Sequence, residues 1–329
     1  MKRLILIFSA MLGAIGANAE MAWNGNQLLA PDGYGHTWSL DGEILDGCDS
    51  RMLVAMADGI YRVCYTNADG QTQTRTKKVK RGNGRQPVRM FLIGDSTVAD
   101  YTLEKDYDEK RYPLAGWGQV FQSFMVADSL KKLAGQIKAD SVVVYDKARG
   151  GRSTRTFFQE GRWREVYDQL RPGDWVLVQF GHNDAAVDKT ERYVPIEGYK
   201  EFLRLFVSQT VEKGGFPVLV TPVARNYPWK EGRLLNVHGD YPDAVKAVAE
   251  EMNVPLIDLN KLSMDFFSMQ GQEVVAEKYF MNFGPGIYAA YPEGQKDNTH
   301  FNGTGANAVA QLVFDALQKI KPELGKGHR

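Results

Sequence analysis

The chain has 329 residues, enough for two domains, and its apolar fraction of 43% is ordinary for a protein that buries a full core. Its 40 basic side chains balance its 40 acidic ones, which argues against a nucleic-acid partner held by bulk electrostatics. With only Cys48 and Cys64, and no histidines clustered near them, a common four-ligand zinc site has no ligand set.

Residues 1–19 read as a signal peptide. Lys2 and Arg3 precede an apolar run over 4–15, and Ala17-Asn18-Ala19 has the small-x-small form of a cleavage site. The mature chain is therefore expected to begin near Glu20 and to be secreted or periplasmic. The apolar run falls short of the ~20 residues of a membrane-spanning helix, so no membrane insertion is expected after cleavage. Export permits a disulfide between Cys48 and Cys64; two partly buried thiols fit the sequence equally well.

Residues 20–86 read as a small all-β module and a linker. Pro31-Asp32-Gly33, Asp41-Gly42, Asp58-Gly59 and Asp69-Gly70 are turn signals between short strands. Tyr61, Val63 and Tyr65 alternate with Arg62, Cys64 and Thr66, and a turn over 67–70 leads into the polar strand 72–76, which predicts a hairpin. The phrase Asp58-Gly59-Ile60-Tyr61-Arg62-Val63 resembles the last strands of immunoglobulin-like modules. Residues 77–85, rich in Lys, Arg and Gly, are expected to be a solvated connector.

From residue 87 to 329 the pattern alternates. Strands are expected over 88–93, 141–145, 175–180, 217–222 and 254–259. Helices are expected over 118–128, 163–170, 198–212, 241–252 and 302–320. This order predicts a three-layer α/β/α sandwich on a parallel sheet, with right-handed crossovers.

Four segments follow predicted strands or precede the last helix, and all should converge on the carboxyl edge of the sheet, where open α/β sheets bind ligands. Gly94-Asp95-Ser96-Thr97 puts a hydroxyl on a tight turn, although Gly-Asp-Ser is also common turn chemistry. Gly150-Gly151-Arg152-Ser153 lets backbone amides approach a ligand. Gly181-His182-Asn183-Asp184 offers a side-chain amide donor; a helix N-cap is the plainer reading of Asn183 or Asp184. Asp297-Asn298-Thr299-His300 can place an acid and an imidazole in one loop, or Asp297 or Asn302 can simply cap the final helix.

Together the four blocks, in this order and spacing over 88–320, resemble the SGNH/GDSL hydrolase superfamily, whose fold is flavodoxin-like. The resemblance implies a serine esterase with Ser96 as nucleophile, His300 as base and Asp297 as its orienting acid. It also implies an oxyanion hole of the Ser96 and Gly151 amides with the Asn183 side chain. A free imidazole, with a pKa of about 6.5, is mostly neutral at pH 7 and suits that role. Asp95 is read as a loop-bracing acid and His182 as structural or substrate-adjacent. No metal or cofactor is implied. The Gly-x-Ser-x-Gly elbow of α/β-hydrolases is absent around Ser96.

Within the superfamily, Gly94-Asp95-Ser96-Thr97-Val98, Gly116-Trp117-Gly118, Gly150-Gly151-Arg152-Ser153, Gln179-Phe180-Gly181-His182-Asn183-Asp184, Thr221-Pro222-Val223 and Asp297-Asn298-Thr299-His300-Phe301 resemble rhamnogalacturonan acetylesterases and their plant cell-wall relatives. That implies an acetylated polysaccharide or oligosaccharide as substrate. Arg152, Arg155 or Arg225 would then meet a uronate carboxylate. Trp117, Trp163 and Trp229 are candidate sugar-stacking faces, the core being the commoner place for a tryptophan; Trp229, in a polar loop, is expected to be the most exposed. Deacetylation of xylan or another glycan, or general carboxylesterase activity, is the nearest alternative. A metallophosphoesterase fits less well, because the order is His-Asn rather than Asn-His and Val98 stands where a second carboxylate would be. A non-catalytic glycan-binding protein would leave the five site residues without a role.

Overall fold

The computed structural model describes residues 20–320 apart from 24–26, 32, 46–47, 49–50, 56–57, 68, 81–86, 138 and 140. The signal peptide expected over 1–19 and most of the expected linker lie outside the described residues. The chain divides into two compact units near residue 81.

The first unit is all β. A four-stranded antiparallel sheet runs Glu43–Ile44, Tyr34–Leu40, Gly59–Thr66, Thr72–Val79 across its width, and a three-stranded one joins Ala22–Trp23, Gln27–Leu29 and Met52–Val54. The period-2 pattern does what alternation dictates: Tyr61, Val63 and Tyr65 enter one core with Leu28, Trp38 and Val79. The hairpin strand runs on through Lys77 and Lys78, which pair with Tyr61 and Ile60, because Val79 buries itself in that core. The connector therefore starts later than its lysines suggest. Cys48 and Cys64 are both thiols.

The second unit is built on strands β1 (Val88–Gly94), β2 (Val142–Asp146), β3 (Trp175–Gln179), β4 (Phe216–Val220) and β5 (Leu256–Ile257). All pair in parallel in the order β2-β1-β3-β4-β5. Its helices are α1 (Trp117–Phe121), α2 (Thr154–Gln159), α3 (Arg162–Gln169), α4 (Ile196–Glu212), α5 (Tyr241–Glu251), α6 (Leu259–Gln270), α7 (Gln272–Tyr279) and α8 (Gly303–Leu317).

The two faces of the sheet follow from side-chain alternation. Phe91, Ile93, Val176 and Val178 pack with Phe157, Trp163, Phe206 and Val245 of α2 to α5. Their neighbours Met90, Leu92, Leu177 and Val218 are equally buried and point to the opposite face, where α8 packs on α1 and β5. In the strand order 2-1-3-4-5 the chain reverses direction of growth between β1 and β3, and ligands bind at that switch point.

Three expectations need correction. The helix expected over 118–128 breaks into α1, a tight turn at Gln122–Met125 and a short helix, Ala127–Leu130. Gln122 supplies the reason: its side chain bonds the Val142 carbonyl and the Val144 amide of edge strand β2, at 3.1 and 2.8 Å. The strand expected over 254–259 is only Leu256–Ile257, because Asp258 already caps α6 through the Lys261 amide. The Asp297–His300 block lies on a strand rather than in a loop. It belongs to β7 (Gln295–Asn302), which pairs antiparallel with β6 (Phe280–Phe283) across a bulge and with Leu114–Ala115. Among the described residues no helix is long and apolar enough to cross a membrane.

Candidate active site

β1 ends in Gly94 because nothing larger fits: a Cβ there would lie 2.5 Å from the Gln179 carbonyl oxygen. The turn that follows is braced from inside. Asp95 Oδ1 accepts from the Thr97 amide at 3.0 Å and the Thr97 hydroxyl at 2.8 Å. Gln179 Nε2 donates to the same hydroxyl oxygen at 2.7 Å, and Trp117 Nε1 donates to Gln179 Oε1 at 2.8 Å. Tyr101 OH donates to the Ser96 carbonyl at 3.1 Å. Asp95 is fully buried, and that burial raises its carboxyl above the ordinary range despite the two Thr97 bonds. It braces the loop, as read from sequence.

Two further loops close on Ser96. After β2, the Arg149 amide bonds the Gly94 carbonyl at 3.0 Å, and Gly151 takes φ +78°, a left-handed conformation natural to glycine. After β3, Asn183 Nδ2 donates to the Arg152 carbonyl at 2.9 Å, which holds the amide group between these two loops and leaves its second N–H unspent. Asp184 caps no helix of its own block. It ties the Gly181 amide (3.1 Å) to the Thr154 amide and hydroxyl at the start of α2 (2.9 and 2.6 Å). Burial pushes its carboxyl up to about 7.

β7 carries the last two groups. Asp297 Oδ1 accepts from the Thr299 and His300 amides at 2.8 and 3.0 Å, while its Oδ2 meets His300 Nδ1 at 2.6 Å. His300 Nε2 lies 2.9 Å from Ser96 Oγ. Burial alone would raise the Asp297 carboxyl, but the imidazole and the two amides together hold it below the ordinary carboxylate value. An ionised Asp297 fixes the proton on Nδ1 and leaves the Nε2 lone pair facing the serine hydroxyl. The final helix is capped by Asn302, whose Oδ1 accepts from the Thr304 and Gly305 amides, and not by Asp297.

Ser96, Gly151 and His300 line two clefts of about 400 Å³ each. Arg152 lines the first of these and Arg225 the second. Arg155 and Trp229 line neither: Arg155 donates to the Thr190 carbonyl at 2.8 Å, and Trp229 is half-buried in a two-residue ribbon against Leu234, its Nε1 bonded to Asn226. Of the three candidate tryptophans Trp229 is still the most exposed, as its polar loop leads one to expect. Trp117 and Trp163 are core residues. Arg111, Arg149, Lys189 and Arg192 also line the clefts. Of these only Arg149 has a signal in the sequence, since it adjoins the Gly150-Gly151 pair; the others come from segments with no pattern of their own. His182 is buried edge-to-face against His238 at 4.4 Å, and burial, His238 and Arg225 keep its pKa well below the ordinary histidine value.

A hydroxyl, an imidazole and a carboxylate in hydrogen-bond series, at the switch point of a parallel sheet and beside donors with free N–H groups, suit attack on an acyl carbon. Known proteins agree with this class. The chain is 38% identical over 236 residues, 72% of its length and 92% of the relative's, to the rhamnogalacturonan acetylesterase RhgT of Bacillus subtilis. It is also 38% identical to the probable rhamnogalacturonan acetylesterase YesY of the same organism, over 70% of this chain and 93% of that one. The crystal structure of protein YxiM from Bacillus subtilis shares the fold, at TM-score 0.57 and 23% identity, over 89% of this chain and 76% of that chain. These relatives place the protein among carboxylic ester hydrolases. Residues 92–308 match the family model described as GDSL-like Lipase/Acylhydrolase, and the chain belongs to that family.

Proposed function

We propose that the protein is a secreted serine esterase that removes O-acetyl groups from a plant cell-wall polysaccharide of the rhamnogalacturonan type. The observation that carries the reading is the position of His300, 2.9 Å from Ser96 Oγ and 2.6 Å from Asp297. The family membership and the names of the two relatives at 38% identity supply the ester class and the sugar. Residues 1–19 supply the export step.

In this reading Ser96 Oγ attacks the acetyl carbonyl carbon while its proton passes to His300 Nε2. Asp297 stabilises the imidazolium that forms. The Ser96 and Gly151 amides and the second N–H of Asn183 Nδ2 stabilise the oxyanion. Collapse breaks the bond to the sugar oxygen, which takes the proton from Nε2 to become a hydroxyl and leaves acetyl-Ser96. Water, deprotonated by His300, then releases acetate and restores the serine. The acetyl group is small, so a cleft of about 400 Å³ serves where a long acyl chain would need a tunnel.

Acetate release from a panel of acetylated polysaccharides tests this. Release from acetylated rhamnogalacturonan above that from acetylated xylan supports the assignment. Release from xylan alone moves the protein to the other glycan class, and hydrolysis of small esters with no release from any polymer removes the polysaccharide altogether.

A further inference from the structure

The two clefts that meet at Ser96 differ in how their cations are compensated. In the first, Arg111 and Arg149 share Glu104 at 3.1 Å each, with Glu104 only 18% exposed, and Arg152 is held by Glu160 at 3.0 Å. In the second, Arg225 is fixed by neutral groups. Its Nε donates to His182 Nδ1 at 3.3 Å, its Nη2 to the His182 carbonyl at 3.2 Å and its Nη1 to the Tyr227 hydroxyl at 2.7 Å. A guanidinium has five N–H donors. The three used here leave one N–H on each terminal nitrogen for an anion.

Two more cations line the same cleft. Arg192 has its Nε buried with no hydrogen-bond acceptor. Lys189 stands nearby on the preceding turn. The acids at this rim are Asp188, 3.7 Å from Lys189, and Glu191, 3.8 Å from Arg192, both well exposed at 73% and 68%. Loose, solvated pairs of this kind offset little charge. A cleft that keeps three cations so weakly compensated, beside the Gly151 and Asn183 donors, is preorganised for an anion.

We propose that this cleft is a carboxylate subsite, in which Arg225 and Arg192, with Lys189 at the rim, receive the carboxylate of an acidic sugar unit of the acetylated glycan. The inference rests on the ester reading of Ser96. Of the three arginines expected to meet a uronate it keeps Arg225, sets aside Arg152, which Glu160 holds, and Arg155, which lines neither cleft, and adds Arg192.

The test uses one acetylated uronate-containing polysaccharide in two forms, with its carboxylates free and with them methyl-esterified. Wild type is expected to favour the free acid by about tenfold or more in kcat/KM, the size of a charge-assisted hydrogen bond. Arg192→Met and Arg225→Met are each expected to shrink that ratio toward one, and Arg225→Lys, which lacks the second terminal nitrogen, should not restore it. Because Arg225 also anchors His182, the Arg192→Met ratio decides if the Arg225 variants fold poorly. Equal release from both forms by wild type, or an unchanged ratio in Arg192→Met, overturns the subsite and leaves the ester reading intact. No release from either form overturns the ester reading itself.

Discussion

Gln179 Nε2 donates to the Thr97 hydroxyl at 2.7 Å across 82 residues of chain, and this bond ties the end of β3 to the turn that carries Ser96. Both residues are almost wholly buried, and the Trp117 indole donates to the other end of the same amide. Gln179→Leu would strand the Trp117 N–H without an acceptor. An unsatisfied buried donor costs about 1–3 kcal/mol, and the lost bond to Thr97 adds about 1 kcal/mol. Urea unfolding should therefore show a loss of roughly 2–4 kcal/mol, with turnover falling more than KM changes, because the Ser96 turn loosens.

Gly151 holds φ +78°, and a Cβ there would meet only Arg192 Nη1, at an ordinary 3.7 Å. Gly151→Ala is therefore opposed by the backbone and not by crowding, at about 1–2 kcal/mol. A main chain that relaxes away from this conformation swings its amide off the developing oxyanion. Loss of one such donor lowers kcat by about 100- to 1000-fold. Steady-state kinetics on a small acetyl ester should show that fall; wild-type kcat in a folded Gly151→Ala protein would take the amide out of the site.

Asp297→Asn keeps the shape of the side chain and removes its charge. In wild type the Asp297 carboxylate, with Oδ2 2.6 Å from Nδ1, favours the tautomer that carries the proton there. An amide that presents its N–H there would force the opposite tautomer and block Nε2 from taking the Ser96 proton. The expected fall in kcat is about 10⁴-fold, with little change in melting temperature.

Stability should vary with pH through buried histidines and acids of opposite sign. Burial lowers His238 to about 4 and carries His182 well below its ordinary value. Unfolded histidines take up protons near pH 6.5, so between about pH 4 and 6.5 the unfolded state binds more protons and stability rises with pH. Asp184, raised to about 7, works the other way: the folded carboxyl keeps a proton that the unfolded one loses near pH 3.9, so its contribution falls as pH rises from about 4 to 7. Urea unfolding at pH 4.5, 5.5 and 6.5 should show a shallower rise with pH in His238→Gln than in wild type. A steeper rise is expected in Asp184→Asn. The reverse order would put the titrations on other groups.

The parallel strands β1, β3 and β4 were legible because they are short apolar runs bounded by turn residues, and buried strands read that way; their order in the sheet came only with the structure. The first-unit hairpin was legible through Tyr61, Val63 and Tyr65. What escaped was structure set by long-range contacts. The polar, aromatic-interrupted segment 280–302 has no period, and it becomes the β6–β7 ladder because the buried rings of Phe280 and Phe301 pack tilted with their centres 5.0 Å apart, beside Phe267. α6 and α7 were hidden for a similar reason, their boundary being Gly271 in a left-handed turn. For the site, motif order brought out Ser96, Gly151, Asn183, Asp297 and His300. The charged lining did not emerge, since a surface arginine such as Arg192 looks no different in sequence from a cleft arginine until its neighbours are known.

In the proposed reaction Ser96 is the nucleophile that carries the acetyl group. The most direct measurement is acetate release from an acetylated polysaccharide by wild type and by Ser96→Ala, with folding of the variant checked by its melting temperature. A loss of about 10⁴-fold or more in turnover is the predicted result. A folded Ser96→Ala protein that releases acetate at the wild-type rate would contradict the account.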